Sequence, residues 1–302
     1  MSAVLALLAI PSAAHAATLT WTNTSGGNWS DTNNWSPHQI PTNTDTVLIN
    51  LPGTYVVNYD FTNIPTGPNG NSFTNLTLGA GINAGGTQTL LASFPPRNIY
   101  GPIGQFFVND ALLVTNGGVF QITNGFLGAQ SLIIDKGGAF NATGEEEQGN
   151  LLVENGGAVT TLDDALLAQM TITNGGMLHS VDDIIAGTVT VAKGGVASVS
   201  TLTRGVTMAA FVVQPGGTLN NVGTLIVDDP STNYGVMNLT NGAFVAQDGL
   251  TAGGDTYGSL VNEPGGIINL SGNSTLLSES NFVNQGTIMA FNGTNTVHGA
   301  PF

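Results

Sequence analysis

The residues best placed to do chemistry are acidic and recur at one fixed interval. Asp163-Asp164 and Asp182-Asp183 are 19 residues apart, and Glu145 lies 19 residues before Asp164. If the chain coils once per 19 residues, Glu145, Asp164 and Asp183 stack in one column. Carboxylates about 5 Å apart repel one another unless a cation or protons intervene, and Ca²⁺ accepts such oxygen ligands. The column is interpreted as an acidic face splayed into solvent, with two alternatives: a calcium site or a catalytic pair.

The catalytic alternative has little support from the surrounding residues. Glycosidases use paired carboxylates, but pectinase-like enzymes add His and basic residues nearby, and polysaccharide lyases need a Lys or Arg base. No basic residue lies between Lys136 and Lys193, and the histidines are scattered, at His15, His38, His179 and His298. No G-x-S-x-G, H-E-x-x-H, P-loop or dinucleotide-binding motif is present. The chain is therefore predicted not to be an enzyme, with no catalytic or cofactor-binding residues and no cofactor apart from the candidate calcium.

The amino-acid composition excludes several classes of binding partner. Of 302 residues, 41% are apolar and only 8% are charged, so the surface must consist largely of Thr, Ser, Asn, Gln and Gly. The net charge is −15 and the basic residues are Arg97, Lys136, Lys193 and Arg204. So few cations cannot neutralise a run of phosphates, which excludes nucleic acid, and they give no attraction to an anionic membrane surface. The absence of cysteine excludes disulfides and thiolate metal sites.

The elements that would position the acidic column come from an internal repeat. Gly-Gly pairs begin at Gly117, Gly137, Gly156, Gly175, Gly194 and Gly216, so the steps are 20, 19, 19, 19 and 22 residues. Degenerate copies follow near Phe244, Asn262–Ile268 and Val283–Ile288. Repeats of this length are typical of a stacked array in which each unit buries its apolar face against its neighbours.

Three apolar columns accompany the Gly-Gly pairs. Three residues before each pair stand Val114, Ile134, Val153, Ile172, Val191 and Val213. Two residues further back stand Leu112, Leu132, Leu151, Met170, Val189 and Phe211. Three residues after the first Gly stand Phe120, Phe140, Val159, Leu178, Ala197 and Leu219. A spacing of two is the strand period. Leucine-rich repeats have a similar length but require a helical side, and nothing here has a 3.6-residue period.

The columns predict an all-β fold, a parallel β-helix of about 19–25 residues per coil, with three short strands in each coil. The corners of the coil should need positive φ, which Gly and Asn tolerate. We therefore expect Asn116, Asn155 and Asn174 in the left-handed region, with their side chains stacked and hydrogen-bonded between coils.

The N-terminal third differs from the repeat. Residues 1–16 contain an apolar run and Ala14-His15-Ala16, typical of a signal peptide and its cleavage site, although a buried strand is the alternative. No run is long enough for a membrane span. Residues 17–105 are predicted to form an N-terminal cap and irregular first coils, and residues 106–302 the regular solenoid. Trp21, Trp29 and Trp35 would cover the end of the core or form a carbohydrate-stacking surface. Strands are expected at Thr46–Asn50, Tyr55–Tyr59, Leu76–Leu78 and Thr89–Leu91.

The segments VTNGGVF, VENGGAVTTL, ITNGGML and VQPGGTL resemble the rungs of bacterial β-helical surface proteins, including autotransporter adhesin passengers and filamentous-haemagglutinin-like proteins. The resemblance covers about residues 106–291 and implies a right-handed parallel β-helix, secretion and a role in adhesion or in a matrix. No C-terminal translocator barrel or anchor is recognisable. The resulting expectation is a secreted structural protein of the cell surface or extracellular matrix, an adhesin-like rod or a fibre subunit that pairs head to tail with itself. The alternative is a carbohydrate-binding or polysaccharide-degrading β-helix, with an extracellular polysaccharide as partner.

Overall fold

The structure is a computed structural model that describes residues 16–60, 62, 72–80, 85–96, 104–144, 146–201, 206–251 and 254–299. Glu145, nearly all of the signal-peptide-like segment, and two of the basic residues, Arg97 and Arg204, lie outside the described residues. Within the described part of the chain, no helix is long and apolar enough to cross a membrane.

Strands are numbered in chain order and most belong to two long sheets. Sheet A contains β1 (Thr18–Trp21), β3 (Trp35–Ser36), β4 (Thr46–Ile49), β6 (Ser72–Phe73), β7 (Asn75–Leu78), β9 (Gly104–Val114), β11 (Gly125–Ile134), β13 (Glu146–Val153), β15 (Ala165–Ile172), β17 (Ile184–Val191), β19 (Val206–Val213), β21 (Thr224–Val227), β22 (Ser231–Asn233), β24 (Ala243–Ala246), β27 (Ser259–Asn262), β29 (Thr275–Ser278), β30 (Asn281–Asn284) and β32 (Thr296–Gly299).

Sheet B contains β2 (Gly27–Asn28), β5 (Tyr55–Asn58), β8 (Gln88–Ser93), β10 (Val119–Thr123), β12 (Ala139–Thr143), β14 (Ala158–Leu162), β16 (Met177–Val181), β18 (Val196–Ser200), β20 (Thr218–Val222), β23 (Val236–Thr240), β28 (Ile267–Ser271) and β31 (Thr287–Ala290). A separate antiparallel hairpin pairs β25 (Asp248–Thr251) with β26 (Gly254–Tyr257). A short 3₁₀-helix covers Thr32–Asn34.

The predicted β-solenoid is confirmed by the strand pairing. Each central strand pairs in parallel with the strand one coil later, as in Leu132↔Leu151↔Met170↔Val189 of sheet A. A coil contributes one strand to sheet B and two segments to sheet A, so the predicted three strands per coil are present. In the later coils the two sheet A segments are separate strands, such as β21 and β22. The twelve strands of sheet B give a stack about 50 Å long at about 4.8 Å per rung.

The core is the interior of the coil, and the three predicted columns line it. All their members are buried, with relative exposures of 0–2%. Strands at 46–49, 55–58, 75–78 and 88–93 match the four expected in the N-terminal third. They pair in the same register as the later coils, for example Leu76 with Leu112 and Thr89 with Val119. The stacking therefore begins well before residue 106.

The Gly-Gly corner is a tight turn with a steric requirement at both glycines. The Gly157 N–H donates to the Glu154 carbonyl at 2.8 Å, and Asn155 and Gly156 have φ of 50° and 80°. A Cβ on Gly157 would lie 2.2 Å from the Ile134 carbonyl oxygen of the previous coil. The first Gly thus supplies positive φ, and the second lets the coils approach.

The predicted left-handed conformation is confirmed at Asn116, Asn155 and Asn174, with φ of 48°, 50° and 48°. The predicted hydrogen-bonded stack of these corner side chains is replaced by a different pattern. Asn155 donates to the Asp135 carboxylate at 2.9 Å. The amide ladders are formed instead by asparagines within the strands, and they run from coil to coil. One ladder joins Asn220, Asn238 and Asn269, and a buried one joins Asn233, Asn262 and Asn284. Strand positions stack in strict register, so adjacent amides meet at hydrogen-bonding distance.

Candidate functional site

The acidic residues lie at the corner where sheet B turns into sheet A. Asp163 and Asp182 have φ of 58° and 56°, and Asn124 and Gly144 occupy this corner in the preceding coils with φ of 56° and 62°. The corner N–H groups of Asn124, Gly144 and Asp163 donate to carbonyls of the next coil, as from Asp163 to Val181 at 3.0 Å. Asn, Asp and Gly are the residues that best tolerate this conformation. The 19-residue recurrence of the first aspartates therefore has a backbone cause.

The second aspartate of the later pair is a buried acceptor. Asp183 is 0% exposed. One of its carboxylate oxygens accepts hydrogen bonds from Thr161 Oγ1 and Ser180 Oγ, each at 2.5 Å, and from the Val181 N–H. The other oxygen accepts the Asp164 N–H of the previous coil at 3.0 Å. Burial raises the pKa of Asp183, and these hydrogen bonds only partly oppose the rise.

This geometry corrects one interpretation of the acidic column and weakens another. An acidic face splayed into solvent is wrong for Asp164, Asp182 and Asp183, which are 3%, 4% and 0% exposed; Asp163 alone of the four is exposed. Three donors occupy Oδ2 of Asp183, so only Oδ1, which accepts a single N–H, keeps acceptor capacity. Across the described residues, no three His, Cys, Asp or Glu side chains are grouped so that they could hold a metal ion. Calcium at Glu145, Asp164 and Asp183 stays a prediction.

The tryptophans form an interior aromatic cluster. Trp21, Trp29 and Trp35 are 0–1% exposed, and Trp35 meets the other two edge-on at centroid distances of 5.0 and 4.8 Å. The Trp35 indole N–H donates to the Trp29 carbonyl at 2.8 Å. β3, which carries Trp35, pairs antiparallel with β1 at the edge of sheet A. The three rings cover the end of the core, and being buried they cannot stack on a carbohydrate.

A shallow groove on sheet A combines aromatic and amide side chains. It has a volume of about 350 Å³ and is lined by Phe107, Val108, Asn109, Gly128, Ala129, Gln130, Gln148 and Gly149. Phe107 lies against Gly128, where a Cβ would come within 2.5 Å of the ring, and its centroid is 5.3 Å from that of Phe126. The register of sheet A shifts here, between Ala129 and Ser131. The shift bends the sheet and opens the groove.

The outward side chains of sheet B form a surface of continuous rows, here called the sheet B face. No register shift interrupts its central pairings, and its twelve strands contain no Asp, Glu, Lys or Arg. Its apolar row follows the register Val56, Thr89, Val119, Ala139, Ala158, Met177, Val196, Thr218, Val236, Ile267 and Thr287.

A polar row runs beside the apolar one. It contains Asn58, Leu91, Gln121, Asn141, Thr160, His179, Ser198, Asn220, Asn238, Asn269 and Met289. Charges border the face at the corner turns, at Asp135, Lys136, Glu154, Lys193 and Glu263. An uncharged surface of this size in a chain of net charge −15 is the main surface feature of the rod.

Sequence reasoning missed both the groove and the sheet B face. The signal for the face was present, because the positions between the apolar columns can be aligned once the 19-residue register is known. The groove had no such signal, since it depends on the local bend of sheet A.

Comparisons with known proteins add little to this geometry. No protein-family model matches the chain, and no curated protein does. Among solved structures, the chain is similar to a TibC-catalyzed hyper-glycosylated TibA fragment, with 15% identity, a TM-score of 0.36, and coverage of 94% of this chain and 100% of that one. At such a score the similarity carries no argument, so the functional conclusions rest on this chain's own geometry.

Proposed function

We propose that the chain is a secreted, non-enzymatic structural rod of the cell surface or extracellular matrix. The observation that carries the proposal is the stack of parallel coils, in which both long sheets span nearly the whole described chain around one continuous core. Such a stack is stiff because each coil is held to its neighbours by a full ladder of hydrogen bonds. The chain has only four Lys and Arg residues, so it offers few sites to trypsin-like proteases, which suits an extracellular life.

The localisation can be tested directly. Fractionation of the source cells, followed by detection with an antibody, should place the protein outside the cytoplasm. N-terminal sequencing of that material should show a start at Ala17 if residues 1–16 are removed. Recovery of the protein only from the cytoplasm would overturn the proposal.

The fibre-subunit version adds pairing between the ends of rods. The side chains of β30, β31 and β32 are exposed or only half-buried, and strands of this kind can pair with another chain. Head-to-tail pairing would then lengthen the rod without closing. Electron microscopy over a concentration series should show rods longer than the about 50 Å expected for one described stack. Particles of single-rod length at every concentration would count against end-to-end assembly.

The groove supports carbohydrate binding as a second candidate function. It offers an aromatic ring, a flat glycine floor and the amides of Asn109, Gln130 and Gln148, and sugars combine apolar faces with hydroxyl groups that amides can bind. Glycan-array binding should be lost in Phe107→Ala and kept in Phe126→Leu. The degrading version requires acids that act on substrate, so reducing-sugar release from a polysaccharide panel should then vanish in Asp163→Asn and Asp182→Asn. Binding without release would leave only the binding function.

A further inference from the structure

We propose that the sheet B face binds the same face of a second copy, so that two rods associate side by side. This contact is independent of any pairing between rod ends. The charge distribution, the unbroken register and the area of the face support this contact.

Charge distinguishes sheet B from the first segments of sheet A, although the second segments of sheet A, such as 131–134 and 150–153, are also uncharged. Sheet A carries Asp110 in β9 and Glu146 and Glu147 in β13, whereas the strands of sheet B have no carboxylate at all. Two copies of net charge −15 repel one another. Contact through the sheet B face brings uncharged rows together and leaves the carboxylates of the corner turns at the solvated rim.

The shape of the two sheets also differs. Sheet A shifts register where β11 pairs with β9 and β13, and again where β17 pairs with β19. Sheet B keeps one register through its central strands, so its side chains form straight rows. Straight rows of side chains on two sheets can interdigitate with the sheets about 10 Å apart. In sheet A these shifts separate the two segments of each coil, so an unbroken face of sheet A is only one segment wide.

The area of the face suits a specific dimer. Rungs at about 4.8 Å and strands of about 16 Å give a face of roughly 800 Å² over the length of the stack. Two such faces bury about 1,600 Å², the usual size of a specific protein–protein interface. Self-complementary contact between identical faces also closes at two copies.

The polar row opposes the contact less where its amides already bond within one rod. Asn238 donates to Asn220, and Asn269 donates to Asn238, each at 2.8 Å. Polar groups that keep their hydrogen bonds are cheaper to remove from water than unpaired ones. The apolar row beside them, with Met177 at 50% exposure and Val56 at 43%, supplies the surface that gains from burial.

Val196→Lys tests the proposal against Thr190→Lys as its matched control. Both positions point outward from central strands and both changes add one positive charge, but Val196 lies on sheet B and Thr190 on sheet A. Light scattering with size exclusion over a concentration series should show wild type moving from 30.8 kDa towards twice that mass. Val196→Lys should weaken association by about tenfold or more, because it buries an unpaired charge. Thr190→Lys should associate like wild type.

Salt adds a second readout that a folding defect would not reproduce. Screening of the rim carboxylates should strengthen association of the wild type between about 0.05 and 0.5 M NaCl. Monomeric wild type at every concentration and salt, or equal weakening in both variants, would overturn the proposal. A monomer that binds a neutral polysaccharide through Val196 would assign the face to that partner instead. Growth to long filaments insensitive to Val196→Lys would assign association to the rod ends.

Discussion

The two ends of the solenoid are built from the same repeat but are finished differently. At the N-terminal end, β3 pairs antiparallel with β1, and three tryptophans fill the interior with 0–1% exposure. In the last described coil, Met289, Phe291 and Val297 are 38%, 52% and 45% exposed, and the Phe282 ring is only partly buried. Hydrogen-bonded pairing is common to both ends, so the ends differ in the side chains that close the interior. We expect the end closed by large buried side chains to be the more stable one.

The largest expected effect comes from removing the aromatic closure. Trp29 contacts Trp35, Tyr59, Phe73 and Phe106. Trp29→Ala should lower the free energy of unfolding by about 3–5 kcal/mol, since the cavity cannot collapse fully. Denaturant titration with hydrogen exchange measured by mass spectrometry will show the loss and locate it in residues 18–60. Equal exchange protection at the two ends of wild type would contradict the comparison.

Phe291→Ala is the matched aromatic truncation at the other end. Its ring is 52% exposed, so the same experiment should show a loss of no more than about 0.5–1 kcal/mol, confined to residues 281–299. A loss as large as that of Trp29→Ala would mean that the last coil is closed by a contact of this chain that lies outside the described residues.

The buried amide ladder allows buried and exposed side chains to be compared within one row of asparagines. Asn262 is 0% exposed, accepts from Asn233 and donates to Asn284, at 2.8 and 2.7 Å. Asn262→Ala should cost about 1–3 kcal/mol, because it leaves buried amide groups unpaired. Asn284→Ala removes an exposed amide of the same row and should cost less than about 1 kcal/mol. Thermal unfolding of the two variants measures the difference, and similar losses would show that burial does not set the value of a ladder bond.

Much of this organisation could be predicted from the sequence, because a strand period and a fixed repeat determine which side chains share a column. The Gly-Gly corners and the buried columns required no further information. The role of the acidic pairs could not be predicted in the same way. Asp163 and Asp182 occupy a corner whose positive φ is set by the path from sheet B to sheet A, and Asp183 is buried because Thr161 and Ser180 surround it. Both are properties of the folded coil, since periodicity fixes spacing and not backbone conformation.

The smallest expected effect lies between the two ends, where Asp183 couples the central coils to pH. Burial raises its pKa, so above the unfolded-state pKa the folded chain binds more protons than the unfolded chain. Its contribution to stability is therefore full below the unfolded pKa and is lost as pH rises through the folded pKa.

Asp183→Asn should remove this part of the pH dependence measured by urea titration from about pH 4 to 8. Thr161→Val should extend it to higher pH, because the carboxylate loses a hydroxyl donor. Hydrogen exchange should place both changes in residues 158–191 and leave the ends as they are in wild type. If Asp183→Asn leaves the pH dependence unchanged, the four donors stabilise this carboxylate as well as water would. The middle of the rod would then be no more pH-sensitive than its ends.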